Sequence, residues 1–157
     1  MNVYASPDTG VRFASALLEQ DDGRPNETAV LPLQTDEHVV GLRKLVRERA
    51  VELKLSLVDQ TKLVTAASEL ARNTLKYGGG GAVLVLRLSD GPRHGIGLVF
   101  ADDGPGIVNL TLALTDGYTT GGGLGLGLSG AKRLVDEFAI DTRPGEGTAV
   151  RITKWKR

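Results

Sequence analysis

The stretch from Asp102 to Leu128 constrains this chain more than any other. It opens Asp-Asp-Gly-Pro-Gly-Ile (102–107) and closes Gly-Gly-Gly-Leu-Gly-Leu-Gly-Leu (121–128). The apolar run Ile96-Gly97-Leu98-Val99-Phe100 before it reads as a strand, and Ser129 to Phe138 after it reads as a helix. A carboxylate thus stands at a strand end, followed by a glycine turn, and a second glycine loop feeds a helix. Six of the ten residues from Gly121 to Gly130 are glycine. Such a loop exposes backbone N–H groups and lets a ligand come up against the main chain. With a helix N-terminus beside it, the natural ligand is a phosphate chain.

A length of 157 residues suits one domain with its own core. The 19 basic and 19 acidic residues cancel, which argues against non-specific binding to nucleic acid or membrane. With no cysteine there is no disulfide frame and no thiol chemistry. No leader-like segment or long apolar run is evident, so a cytoplasmic location is expected.

Residues 1–26 are the least readable. Val11, Phe13, Ala14, Leu17 and Leu18 suit one face of a short helix, and Asp21 to Asn26 break structure, so a loosely attached tail is expected. Thr28 to Leu33 reads as a strand, placed at a sheet edge by Pro32. Thr35 or Asp36 caps a helix to about Leu53, with Val39, Leu42, Val46, Ala50 and Leu53 on its buried face. Ser56 opens a second helix, whose core stripe is Leu63, Ala67, Leu70 and Thr74. A neighbouring stripe holds Ala66, Glu69, Asn73 and Tyr77. Glu69 and Asn73, four apart, offer two oxygens to a Mg²⁺ ion, although the pair alone is more commonly a surface feature. Gly78 to Gly81 end the helix. Ala82–Leu88 and Gly95–Ala101 read as a hairpin around Ser89–Arg93, with His94 and His38 solvated. A short helix over 107–114 is expected to pack over the site. Leu128, Ala131, Leu134, Val135 and Phe138 make the last helix core-facing, and Phe138–Thr142 and Gly147–Lys154 read as closing strands.

Three nucleotide motifs compete for the glycines. The pattern Gly-x-x-x-x-Gly-Lys-Ser/Thr is absent. Gly125, Gly127 and Gly130 match Gly-x-Gly-x-x-Gly, but Thr119 to Gly123 before them is no strand, which removes the dinucleotide reading. The third reading uses four elements in order: Glu69…Asn73, Asp102-x-Gly104-x-Gly106, Gly121-x-Gly123-Leu124-Gly125-Leu126, and Gly147-Thr148. They resemble the N box, two glycine boxes and terminal Gly-Thr of the gyrase–Hsp90–histidine-kinase–MutL (GHKL, Bergerat-fold) ATPases. Ser68 to Asn73, Asp116 to Thr120, Gly130 to Phe138, Gly145 to Thr148 and Lys154-Trp155 are similar to the anti-sigma and switch-protein serine kinases, nearest to the RsbT-type switch kinases of the stressosome. That resemblance runs from about Val30 to the C-terminus.

The resemblance implies an α/β (α+β) two-layer sandwich over residues 27–157, a mixed sheet with helices on one face. It implies that Asp102 accepts from the adenine amino group, Gly104 and Gly106 turn under the base, and Thr148 supports Asp102 or its water. Asn73, with Glu69, would hold Mg²⁺, and Glu69 would be the general base. Thr119, Thr120, Gly121, Gly122, Gly123, Leu124, Gly125 and Leu126 would form a lid, with amides of Gly123, Gly125 and Gly127 on the β- and γ-phosphates. Lys76, Tyr77 and Ile107 complete the implied nucleotide set, and Arg72 and Lys76 either balance phosphate charge or form a solvated face. The implied activity is ATP- and Mg²⁺-dependent transfer to a serine or threonine of a STAS-domain antagonist. A second regulator, such as a phosphatase or sigma factor, would compete for the kinase. An anti-sigma factor with the same chemistry, or a non-catalytic nucleotide-gated module, are the alternatives. A histidine-kinase domain fits less well, since the run His38-Val39-Val40-Gly41-Leu42 lacks the acidic and proline residues of a phospho-acceptor motif.

Overall fold

A computed structural model describes residues 24–115 and 127–157, with side chains from residue 29 onward. The elements run β1 (Arg24–Leu33), α1 (Asp36–Glu52), α2 (Leu57–Lys76), β2 (Gly81–Asp90), β3 (Arg93–Asp102), α3 (Leu110–Ala113), α4 (Gly127–Arg133), β4 (Glu137–Arg143) and β5 (Gly147–Trp155). The five strands form one sheet in the order β1-β2-β3-β5-β4. Pro32 is on the edge strand, as its missing N–H requires.

Both long helices begin where their caps dictate. The Thr35 hydroxyl accepts from His38 N–H at 3.3 Å, and the Ser56 hydroxyl from Asp59 N–H at 3.1 Å. Their apolar stripes follow the 3.6-residue period. Val39, Leu42, Val46, Ala50 and Leu53 are buried from α1 and its cap, and Leu63, Ala67, Leu70 and Thr74 from α2. They meet Val83, Val85, Ile96, Leu98, Phe100, Val150 and Ile152 of the sheet in one core. The helices therefore lie on one face, as expected of a two-layer sandwich.

The sheet is antiparallel at every pairing rather than mixed. The α1–α2 excursion is the cause on one side: it leaves at Leu33 and returns at Gly81, which are register partners, so β2 must run back along β1. On the other side β4 runs in the direction of β3, but β5 inserts between them.

Three boundaries differ from the sequence reading. Pro25 and Asn26 do not break the chain, because β1 begins at Arg24 and a bulge between Pro25 and Glu27 absorbs the irregularity. The short helix over 107–114 contracts to Leu110–Ala113, capped by the Asn109 side chain on Leu112 N–H. The last helix ends at Arg133 rather than Phe138. Asp136 is drawn into the sheet instead, its N–H donating to Thr153 O and its carboxylate accepting Trp155 N–H at 2.7 Å.

The other face of the sheet is also apolar. Ala82, Leu84, Leu86 and Leu88 of β2 form a second buried cluster with Val99, Ala101, Ala149 and Trp155.

Candidate nucleotide site

The site is built where α2, β3 and the β4–β5 hairpin end together. Glu69, Asn73 and Tyr77 stand at successive four-residue steps on α2. The Glu69 side chain is 13% exposed, and its Oε1 accepts from the exposed Arg72 guanidinium at 3.3 Å. Asn73 is half-buried, and its carbonyl accepts from Tyr77 N–H at 2.9 Å and Gly78 N–H at 3.3 Å, closing the helix. Lys76 and Tyr77 are exposed, with the Lys76 ammonium 5.4 Å from the Tyr77 ring centre.

Asp102 lies directly beyond that helix end. It terminates β3, pairs in register with Gly81 and Thr148, and is 8% exposed. Its Oδ1 accepts from Gly104 N–H at 2.9 Å, an Asx-type turn that starts the first glycine box. Burial pushes its carboxyl above the usual range, hydrogen bonds from the Gly104 and Thr148 amides pull it back, and Asp103 adds a small upward push.

The glycines here are required by space. A Cβ on Gly78 would fall 2.6 Å from the Asp102 Cβ, and one on Gly104 would fall 2.7 Å from the Gly78 Cα. The end of α2 thus lies against the Asp102 side chain and the turn that follows it. Gly106 has φ of 75°, and a Cβ there would run into the Arg143–Pro144 backbone. The half-buried Ile107 donates its N–H to Thr142 Oγ1 at 2.8 Å, and that hydroxyl lies 2.9 Å from Thr148 Oγ1. Gly145 N–H donates to Pro105 O at 2.7 Å. The β4–β5 hairpin therefore braces the first glycine box from outside.

Asp102, Gly104, Gly106, Ile107 and Thr148 are brought together with the C-terminal end of the helix carrying Glu69 and Asn73. Gly127 opens α4 with φ of 68°. Thr119, Thr120, Gly121, Gly122, Gly123, Leu124, Gly125 and Leu126 lie outside the described residues. Among the described residues no three His, Cys, Asp or Glu side chains gather into a metal-binding group. One carboxylate and one amide oxygen still suit Mg²⁺, which uses one or two protein oxygens and takes the rest from phosphates and water.

Two contributors escape the sequence reading. Gly78 looks like a helix stop, and only its approach to Asp102 shows why no side chain fits. Thr142 carries no motif, but the hairpin register that places it opposite Thr148 follows from the Pro144-Gly145-Glu146 turn. That turn was the available signal.

The profile of the histidine kinase-, DNA gyrase B- and HSP90-like ATPases matches residues 58–157, which hold every residue of this site. The serine/threonine-protein kinase RsbT of Bacillus subtilis is 40% identical over 132 residues, 84% of this chain and 99% of that protein. An anti-sigma F factor of Thermoanaerobacter is 27% identical over 119 residues, 72% of this chain and 82% of that protein. Among solved structures, the RsbU and RsbW domains of a Mycobacterium tuberculosis protein superpose with a TM-score of 0.58 at 21% identity, over 85% of this chain and 34% of that longer one, a likeness of fold. With this match over most of its length, the chain belongs to the histidine kinase-, DNA gyrase B- and HSP90-like ATPase family.

Proposed function

We propose that this chain is an ATP- and Mg²⁺-dependent serine/threonine protein kinase that modifies a STAS-domain antagonist and works by partner switching in the cytoplasm. The observation that carries the reading is the convergence of Gly78, Asp102 and Gly104, with Asn73 and Glu69 one and two turns back on the same helix. The likeness to RsbT, a serine/threonine-protein kinase, supports transfer to a hydroxyl.

ATP supplies the transferable phosphoryl group when bound. Asp102 accepts a hydrogen bond from the adenine amino group, and the bare backbone at Gly104 and Gly106 lets the base lie close. Thr148 and Thr142 keep that wall in register. The Asn73 amide oxygen, with Glu69, would hold Mg²⁺, which would offset the phosphate charge, and the amides of Gly123, Gly125 and Gly127 would orient the phosphates. Glu69 takes the proton from the attacking serine hydroxyl at its carboxylate oxygen, with Arg72 holding it in place. Lys76 and Tyr77, exposed at the end of α2, complete the nucleotide set.

The likeness to anti-sigma F factors supports a second regulator, a sigma factor or a phosphatase, that competes with the antagonist for the kinase.

The test is phosphate transfer to a STAS partner, run beside nucleotide-binding and pull-down measurements. Glu69→Gln keeps the shape of the side chain and one oxygen for Mg²⁺ but removes the base, so transfer falls by about 10²–10⁴-fold while ATP and partner binding persist. Asn73→Ala loses a Mg²⁺ ligand, so nucleotide binding and transfer fall together. Wild-type transfer by Glu69→Gln would remove the base assignment. A wild type that binds its partner and transfers nothing would leave a nucleotide-gated binding module.

A further inference from the structure

The second face of the sheet is buried, yet no described element lies on it. Leu84, Leu86, Leu88, Val99 and Ala101 are no more than 1% exposed, and Trp155 is 8% exposed. A bare sheet face cannot hide leucines so completely, because its side chains stand perpendicular to the sheet with only lateral neighbours. The helices do not provide the cover. The buried residues of α1, α2 and α4 join the core on the opposite face, and Ile107, Ala113, Leu114, Leu134 and Val135 pack there too.

We propose that residues 1–23 of this chain cover the face, with Val11, Phe13, Ala14, Leu17 and Leu18 laid against it as the apolar side of a short helix. Four observations select this occupant. The segment joins β1 at Arg24, which pairs with Ser89, so it enters at the end of β2 beside Leu88. Its apolar residues match the span to be covered: as a helix, residues 11–18 extend about 12 Å, and Leu84 to Leu88 extend about 13 Å along β2. The other undescribed stretch, 116–126, is tied at both ends to the helix layer, since Ala113 and Leu114 before it and Leu128 after it pack in the first core. The match to RsbT spans 99% of that kinase but 84% of this chain, so this chain carries length that the kinase lacks. The segment thereby acts as a built-in cap that keeps an apolar sheet face from meeting a second copy.

Trp155 is the sole tryptophan and lies on the face, so it reports directly on the cover. In the whole chain, Phe13→Asp with Leu17→Asp shifts Trp155 emission to the red, raises hydrogen exchange in β2 and β3, and increases self-association relative to wild type. Emission and exchange unchanged from wild type would overturn the proposal. A variant that failed to fold would leave the question to a photo-cross-linker, benzoylphenylalanine, in place of Phe13. The expected product is an intramolecular adduct to residues 82–101 or 149–155 at monomer mass. An adduct at dimer mass would assign the face to a second copy, and no adduct to the sheet would remove the segment as its cover.

Discussion

Asp102 is a carboxylate whose surroundings act against its charge. Burial raises its affinity for a proton, and the Gly104 and Thr148 amides offset that only in part. The folded state therefore holds this proton more tightly than the unfolded chain, where an aspartate titrates near about 3.9. The stability from this group is fully present below that value and is lost as pH rises through the raised folded one. Asp102→Asn removes the titration. The stability advantage of wild type over Asp102→Asn, measured by urea unfolding, is therefore largest near pH 4 and narrows toward pH 7. A gap that widened with pH would mean that the hydrogen bonds outweigh burial. Gly78 presents the complementary constraint. Alanine there places a methyl group 2.6 Å from the Asp102 Cβ, whereas alanine at Gly79 meets nothing within 4 Å and bears only the strain of φ at 74°. Gly78→Ala is expected to lose about 1–3 kcal/mol through overpacking and to weaken ATP binding. Gly79→Ala is expected to lose about 1–2 kcal/mol and leave ATP affinity unchanged. Equal ATP affinities for the two variants would show that the end of α2 does not shape the site.

At the scale of elements, the β4–β5 hairpin holds the first glycine box through one hydroxyl. Thr142 Oγ1 accepts from Ile107 N–H and meets Thr148 Oγ1. Thr142→Val keeps the branched shape of the strand residue and leaves the Ile107 donor without that acceptor, which costs about 1–3 kcal/mol. Thr148→Val removes only one partner of the hydroxyl pair and is milder. Unfolding of both variants in urea tests the order, and a Thr142→Val no worse than Thr148→Val would shift the bracing elsewhere. The hairpin also shows what the chain declares in advance. Helix starts were legible because Thr35 and Ser56 are local signals, and the faces of α1 and α2 because apolar spacing is local too. The placement of Glu69 and Asn73 on one side of α2 followed from the same period. Three features were not legible, and each depends on contact across the fold. The end of α4 is decided by β5, which captures Asp136. The start of β1 depends on a bulge against β2. The need for glycine at 78 comes from Asp102, far along the chain. A reading by local period has no access to such partners.

For the whole molecule, one buried cation joins the pieces that the site requires. Lys154 is 3% exposed on β5. Its ammonium lies 3.4 Å from Asp59 at the start of α2 and 3.7 Å from Asp136 before β4, and it donates to Leu134 O at 3.3 Å. The helix that carries Glu69 and Asn73 is thereby tied to the turn after α4 and to the strand that carries Thr148. Arg157 reaches both aspartates, but from a side chain that is 70% exposed, where solvent screens the pairs. The two cations therefore differ sharply in consequence. Lys154→Met leaves two poorly solvated carboxylates with Arg157 as a screened cationic partner, and removal of one member of a buried pair costs about 3–5 kcal/mol. Arg157 softens this, so the expected loss is about 3 kcal/mol, or about 6–12 °C in melting temperature for a chain of this size. Arg157→Ala alone is expected to lose less than about 1 kcal/mol. Asp59→Asn added to Lys154→Met removes one of the stranded charges and recovers part of the loss, so the pair is non-additive. Urea unfolding of the three variants at low and high salt separates the terms. The Lys154→Met loss persists at high salt because the site is shielded, whereas the Arg157→Ala loss fades. If Lys154→Met were no more destabilising than Arg157→Ala, this cation would not join α2 to β5 in solution.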